Sequence, residues 1–379
     1  MQKPQAAAQK AAPPPQQFRV GVYDTDTPDI DVTLASTAAA QKLGTFKISP
    51  NGWLADIDCL FQLTGYTAGS FAGDQPFSGI QKVTFRDVGN REIFGPLTGY
   101  EWLATNKWGG YYAGEPDPRN PAAGFQANAT QAQFSLWIPL EVVLRDTLGE
   151  IENKSSSSSY TLEIYIDSTA NTGTVTGTIT WRMRANLIGY TEPEMADSYG
   201  RPLSQAPPAA GTVQYWTSEI YNSPAGSGRY NQVNGIGYPI REIIYVAYDA
   251  ANGTRATGWN FATVGGGGGD WPDPATVAFG KVQLLQRPAQ MWATRMARWF
   301  GLFGSTSDSN MGLENGTFVL PFNKEFDGIV GNETRNGYLI TKAGNVLQLS
   351  GSFALATNVH VLTNYVVPPG NDASRLRSR

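Results

Sequence analysis

The sequence predicts an all-β protein made of two successive sandwiches or barrels, and three observations lead there. Apolar and polar residues alternate with period 2 in many short segments, which puts the apolar set on one face of a strand. Gly, Pro and Asn separate these segments at short intervals, without the regular helical stretches of βαβ units. The chain has 379 residues, too many for one compact sandwich of about 100–150 residues and comfortable for two.

Composition narrows the class. Apolar residues make up 41% and aromatics 12%, enough for large cores. Charged residues are only 16%, against about 25% in ordinary soluble domains, which argues against a coiled coil or a disordered chain. Gly 42 and Pro 24 are high, but no G-X-Y period makes a collagen. A net charge of −4 gives no reason to expect a dedicated, sequence-specific nucleic-acid surface. Low charge density fits a protein that buries much of its exterior against copies of itself. Cys59 is the single cysteine, so neither an intrachain disulfide nor a cysteine zinc site is expected. His360 is the single histidine, which removes most general-base and metal chemistry. No apolar h-region opens residues 1–17 and no run approaches the ~18–20 residues of a membrane span. The expectation is a soluble chain made in a reducing compartment.

In chain order, residues 1–19 read as a flexible arm of Ala, Gln and Pro, broken at Pro13–Pro15. Lys3, Lys10 and Arg19 are the charges of its first 23 residues. They are candidates for contact with anionic lipid or nucleic acid, at about 1 kcal/mol per basic residue near a charged surface; a plain tail is the alternative. Residues 20–192 form the first half. Within Gly52–Thr64, Trp53, Ala55, Ile57, Cys59, Phe61 and Leu63 share one face opposite Asp56, Asp58, Gln62 and Thr64. Cys59 is therefore a core residue. Ile80–Phe85 and Phe134–Leu144 follow as strands. Tyr160, Leu162, Ile164 and Ile166 alternate with Thr161, Glu163, Tyr165 and Asp167. After an expected turn at Asn171–Gly173, Val175, Ile179, Trp181, Met183, Ala185 and Leu187 face one way, and Thr176, Thr178, Thr180, Arg182, Arg184 and Asn186 the other. Residues 193–211 are polar and Pro-rich and read as a linker.

The second half, 212–367, resumes the pattern. Strands are expected at Val213–Tyr221, Ile240–Tyr248, Val277–Leu285, Phe318–Phe322, Tyr338–Thr341, Val346–Leu349 and Val359–Val367. One helix interrupts them over Ala289–Phe303, behind Pro288. There Trp292, Met296, Trp299, Phe300 and Phe303 recur at 3- and 4-residue steps with Arg295 and Arg298 beside them. Residues 368–379 form a basic tail carrying Arg375, Arg377 and Arg379.

Candidate chemistry is sparse. Asp24, Asp26, Asp29 and Asp31 cluster in the manner of a Ca²⁺ site, but without EF-hand spacing or its glycine, and a solvated or inter-subunit acidic segment is the better reading. Glu115, Asp117, Asp270 and Asp273 sit beside prolines and read as turn formers. The Gly265–Gly269 run lacks the Gly-Lys-Ser/Thr of a phosphate loop. Glu141 and Glu163 are a conceivable glycosidase pair, with nothing to set their separation. His360 lies in an alternating strand with no nucleophile or ligand set beside it. No catalytic group, cofactor site or metal site is assigned.

One resemblance does stand on the order of these motifs. Asn51–Leu54 opening a long strand, Leu136-Trp137-Ile138-Pro139-Leu140, Tyr160–Glu163 and Arg182–Tyr190 in the first half resemble the strands of the double jelly-roll major capsid proteins of tectivirus-type phages, which are tailless and contain an internal membrane. In the second half, Met291–Arg298 resembles that family's Trp-Ala helix, and Tyr338–Tyr365 its closing strands. The resemblance spans about residues 45–367. It implies two tandem eight-stranded jelly rolls with short helices in the loops. It also implies homotrimers forming pseudo-hexagonal capsomers, and an icosahedral shell around an internal membrane and double-stranded DNA. The partners would be the chain itself, a vertex or penton protein and, through the arm, the membrane; the location would be the virion, after synthesis in the host cytoplasm. Trp102, Trp108, Tyr111 and Tyr112 are then candidate subunit-interface aromatics, with core packing as the alternative. The rival reading is a carbohydrate-binding or glycoside-cleaving jelly roll such as a receptor-binding spike. A secreted lectin is disfavoured by the missing disulfides.

Overall fold

The computed structural model describes residues 22–23, 29–71, 73–109, 118–119, 121, 124–142, 148–191, 199, 211–233, 237–251, 253, 255, 274–300, 316–323, 337–342 and 346–368. In the first half these form β1 (Val22–Tyr23), β2 (Ile30–Ala35), β3 (Gln41–Lys47), β4 (Trp53–Ser70), β5 (Ile80–Arg86), β6 (Glu92–Leu97), helix α1 (Gly99–Trp108), β7 (Gln126–Ala127), β8 (Ala132–Pro139), β9 (Ile151–Glu152), β10 (Thr161–Ile166), a four-residue α2 (Thr169–Thr172) and β11 (Thr174–Tyr190). The second half contributes β12 (Val213–Ser223), β13 (Gly226–Val233), β14 (Ile240–Asp249), β15 (Ala275–Phe279), β16 (Val282–Arg287), helix α3 (Ala289–Phe300), β17 (Thr317–Pro321), β18 (Leu347–Phe353) and β19 (Thr357–Val367).

Three sheets result. The first runs β1-β11-β4-β8-β7, with β2 on β11 and β9 on β4. The third runs β13-β18-β15-β16. Between them lies an eight-stranded sheet, β17-β14-β19-β12-β6-β5-β10-β3, whose order passes from the second half into the first. Each half is thus a two-sheet roll. The inner sheets of the two rolls are joined edge to edge where β12 pairs in parallel with β6, Trp216 opposite Phe94.

The expected alternation produces the longest ladder of the first roll. β4 and β11 pair antiparallel from Trp53–Tyr190 to Ser70–Thr174. Trp53, Ala55, Ile57, Cys59, Phe61 and Leu63 are buried on one side, as are Ile179, Trp181, Met183, Ala185 and Leu187. Aromatic rings lock this core. Phe61 stacks on Phe134 with centroids 5.1 Å apart and meets Trp181 edge-on at 6.1 Å. Phe77 lies 4.4 Å from Phe134. Cys59 is fully enclosed, and burial pushes its thiol well above the ordinary range, so it is an inert core group.

Three expectations need correcting. The stretch Val277–Leu285 is not one strand but the hairpin β15–β16, turned at Gly280 with φ +59°, a conformation glycine adopts without steric cost. Tyr338–Thr341 makes only a bridge, Leu339 to Ile240. The Asn171–Gly173 turn is the end of α2, whose last residue, Thr172, is fully buried. The helix behind Pro288 does form: Trp292, Met296 and Phe300 are buried, and Arg295 sits 4.7 Å over the ring of Trp299. Phe303 lies outside the described residues.

Candidate assembly site: the seam between the rolls

Helix α1 is central to the seam and was not expected from periodicity, because it has no polar face. All ten of its residues are buried, Glu101, Thr105, Asn106 and Lys107 included. Its local signal is a capping box. The Thr98 side chain accepts from the Glu101 backbone N–H at 3.3 Å, and the Thr98 N–H donates to Glu101 Oε2 at 2.8 Å, which satisfies two otherwise orphaned donors. A Cβ on Gly99 would collide with the Phe77 carbonyl oxygen, so glycine is what lets the helix start this close to the short turn of helix at Phe77–Gly79 before β5.

One face of α1 belongs to the first roll. Trp102 Nε1 and Asn106 Nδ2 both donate to the Trp137 carbonyl, at 2.7 and 2.8 Å, and the Trp137 N–H donates back to Asn106 Oδ1 at 2.9 Å. The other face reaches the second roll. The Tyr100 hydroxyl lies 2.8 Å from Thr317 Oγ1 on β17. Glu101 Oε1 accepts from Ser218 on β12 at 3.2 Å and lies 2.5 Å from His360 Nδ1 on β19. Tyr248 covers the imidazole at 4.4 Å. Burial first, and then the negative charges of Glu101 and Asp74, push the Tyr248 phenol well above its ordinary value. Alongside, Arg255 grips Asp74 through Nε at 2.8 Å and Nη2 at 2.6 Å, and its guanidinium lies 4.5 Å over the Tyr100 ring.

A second polar chain crosses the seam at the far end of α1. The pairing of β14 with β19 shifts register between Ile240 and Glu242, a bulge that leaves Arg241 as the extra residue. Arg241, almost wholly buried, donates to the Gly109 carbonyl at 2.8 Å and to Asn364 Oδ1 at 3.3 Å, with Glu242 Oε2 at 3.7 Å. Asn364 passes the network on to Gln214 Oε1 at 3.1 Å, and Gln214 donates to the carbonyls of Pro139 and Glu141 in the first roll at 3.1 and 3.0 Å. Buried donors are thereby matched to buried acceptors across the two halves.

The expected interface aromatics fare differently. Trp102 and Trp108 have no exposed surface. Trp102 packs edge-on to Phe61 at 5.8 Å, and Trp108 meets Phe300 of α3 at 5.0 Å, so both belong to the chain's own core and have nothing to give a neighbouring subunit. Tyr111 and Tyr112 lie outside the described residues, as do Lys3, Lys10 and Arg19 of the arm, Asp24 and Asp26, Glu115 and Asp117, the glycine run with Asp270 and Asp273, and Arg375, Arg377 and Arg379. Asp29 accepts from the Leu187 N–H at 2.9 Å, and Asp31 pairs with Arg182 at 2.6 Å, a hydrogen bond that lowers its carboxyl. Among the described residues no three His, Cys, Asp or Glu side chains gather as a metal site.

Glu141 and Glu163 are not brought together as a pair. Glu141 follows β8 in the first sheet, its N–H bonded to the Ala55 carbonyl. Glu163 sits on β10 in the shared sheet and takes Lys42 at 2.6 Å and Arg86 at 2.8 Å. Those hydrogen bonds, the one from Lys42 foremost, hold its carboxyl down at about 2.

No family model matches the chain, and no curated protein does. Solved structures do. The crystal structure of the major capsid protein of Sulfolobus turreted icosahedral virus aligns with TM-score 0.58 and 12% identity over 95% of this chain and 99% of that one. The PBCV-1 virus capsid model gives 0.53 and 10% over 93% and 94%. The major capsid protein P2 of bacteriophage PM2 gives 0.51 and 9% over 93% and 98%. At such identities the likeness is one of fold, and it takes in both rolls: the chain has the double jelly-roll architecture of these viral major capsid proteins.

Proposed function

We propose that the chain is a structural major capsid protein. In this reading it trimerises into pseudo-hexagonal capsomers, which assemble an icosahedral shell around an internal membrane and a double-stranded DNA genome. The observation that carries the reading is the end-to-end match of architecture, over 90% or more of both chains in each comparison above, in a molecule whose two rolls are fused through one sheet. A tile that must present two similar faces at a fixed angle needs such a fusion, and the buried seam supplies it. The partners are further copies of the chain, a vertex or penton protein and the internal membrane. The last is met by the arm through Lys3, Lys10 and Arg19. No sequence-specific contact with nucleic acid is part of the proposal. The protein acts in the virion after synthesis in the host cytoplasm.

The function is mechanical rather than enzymatic. A glycosidase needs one carboxyl that stays protonated and a second, ionised one beside it; Glu163, held at about 2 by Lys42 and Arg86, cannot be the acid, and it is bound in ion pairs on a different sheet from Glu141. The test is light scattering on the purified protein after size exclusion. A species near three times the 41.0 kDa chain mass, followed by hexagonal particles in electron micrographs, is the expected result; a clean monomer at high concentration that binds a glycan would transfer the reading to the spike alternative.

A further inference from the structure

Five Asn-x-Ser/Thr triplets occur, at Asn128, Asn153, Asn252, Asn315 and Asn332. This is the pattern on which sugars are transferred to an asparagine side chain. Such triplets also arise by chance, so what separates them is whether the fold presents the amide nitrogen. Asn252, Asn315 and Asn332 lie outside the described residues. Asn153 is 2% exposed, and its Nδ2 donates to the Ser49 carbonyl at 2.8 Å. That nitrogen is closed to an enzyme.

Asn128 is presented. It opens the turn that joins β7 to β8, and residues 128–131 are all exposed. Its backbone is pinned: the N–H donates to the Gln131 carbonyl at 2.9 Å, and the carbonyl accepts the Tyr66 hydroxyl at 3.4 Å. Its side-chain Oδ1 accepts three times, from the Thr130 N–H at 2.9 Å, the Gln131 N–H at 3.0 Å and the Thr130 hydroxyl at 3.3 Å. Among the described residues nothing engages Nδ2. The turn uses only the oxygen, so aspartate would close it equally well. What asparagine adds is a free amide nitrogen. Donors on Oδ1 stabilise the negative charge that the side-chain amide takes on as Nδ2 gives up a proton, which turns a poor nucleophile into a useful one. One of those donors is the hydroxyl that the triplet requires.

We propose that Asn128 is a glycan attachment site, modified on Nδ2 by a separate glycosyltransferase. A bond forms from Nδ2 to the anomeric carbon of a sugar. The bond from that carbon to the diphosphate of an activated donor breaks, and the diphosphate leaves with the electron pair. The Nδ2 proton passes to a base of the transferase. The donor is a sugar on a diphosphate leaving group, carried by a nucleoside or by a lipid. One part of the inference rests on the capsid reading: the side of the shell on which the sugar stands. β1 pairs with Gly189 and Tyr190, so the arm leaves from that end of the first sheet. The turn lies beyond Ala132, which pairs with Leu63, itself opposite Trp181. That is roughly 25 Å farther along β11, at ~3.3 Å per residue. With the arm on the membrane, the turn and its sugar face outward.

Tandem mass spectrometry on the full chain from its native source tests the site. Whole sugar residues on Asn128 in at least half of the copies, with Asn153 bare, are expected; a bare Asn128 overturns the proposal. A single sugar identifies the nucleoside-carried donor, and a larger preassembled oligosaccharide the lipid-carried one. In the same cells Thr130→Ser should keep the sugar, and Thr130→Ala should lose it at least tenfold. Full modification of Thr130→Ala overturns the proposal. Should that variant fail to fold, Asn128→Asp, which keeps the turn's oxygen, is measured in its place: it should melt as the parent does and carry no sugar, and a sugar elsewhere in the turn overturns the assignment. The outward placement is read separately, by periodate oxidation and hydrazide labelling of assembled particles. Labelling equal to that of the disrupted protein is expected, and labelling only after disruption overturns the placement. A chain that carries the sugar but stays monomeric at every concentration defeats the capsid reading and leaves the site standing.

Discussion

The core of the first roll and the seam between the rolls are both largely enclosed, yet opposite in chemistry. Around Phe61 the contacts are rings: Phe134, Trp181, Trp102 and Phe77 in stacked, tilted and edge-on pairs. At the seam they are polar: Glu101 to Ser218 and His360, Arg241 to Gly109 and Asn364, Gln214 to Pro139 and Glu141. Apolar burial is large but indifferent to angle. A hydrogen bond adds only about 1 kcal/mol net but exacts more when one partner is missing. The first region therefore holds a roll together, and the second decides how one roll stands against the other.

Substitutions can break that division of labour, beginning with the largest effect. Trp181→Ala opens a cavity in the ring cluster and should lower unfolding stability by about 3–5 kcal/mol, lowering the denaturant midpoint of the whole chain. Arg241→Ala should cost about 3 kcal/mol, since Gly109 and Asn364 lose a buried donor and Glu242 its nearby cation. Here the shape of the transition matters more than its midpoint: two calorimetric steps in place of one would mark rolls that have come uncoupled, whereas Trp181→Ala should not split the transition. Glu101→Ala removes the carboxylate shared by Thr98, Ser218 and His360, with an expected loss of about 2 kcal/mol. Faster exchange at amides of β12 and β19 near Ser218 and His360 would localise it to the seam.

The smallest effect belongs to neither region and serves as a control. Glu163 faces outward on β10, and its folded carboxyl is depressed to about 2 from an ordinary 4.5. Its ion pairs therefore contribute fully above pH 4.5, and that contribution drains away as pH falls toward 2. Glu163→Gln should remove about 1 kcal/mol at neutral pH and flatten that part of the acid-unfolding curve, without splitting the thermal transition.

The ring core was legible in the sequence and the seam was not, for a physical reason. Trp53 to Leu63 and Ile179 to Leu187 alternate because each strand has one wet face, and period 2 records it. Helix α3 kept a polar side and so kept a 3- and 4-residue stripe. α1 is dry all round and left no period. Only Thr98 and Glu101, three residues apart, marked where it begins. β14 is buried from Ile240 to Ala247, so no alternation there sets Arg241 and Glu242 apart. Their partners are more than 100 residues away or sit across a bulge, and no local pattern carries that information. Gly280 could have divided β15 from β16, but the apolar stretch around it hid the turn. Trp102 and Trp108, offered as interface aromatics with core packing as the alternative, are held in the core by a helix with no wet side.

The parallel join of β6 to β12 has a mechanical consequence. Two plates connected only by a linker bend freely along the line between them. Here backbone pairing crosses that line at Trp216 and Phe94, and α1 lies beneath it like a batten, anchored to Trp137 on one side and to Thr317 and Ser218 on the other. Flexing the pair must stretch those bonds together, so the stiffness of the molecule is set at its middle. A sideways load on one roll reaches the other as a turning moment, with little lost to a hinge.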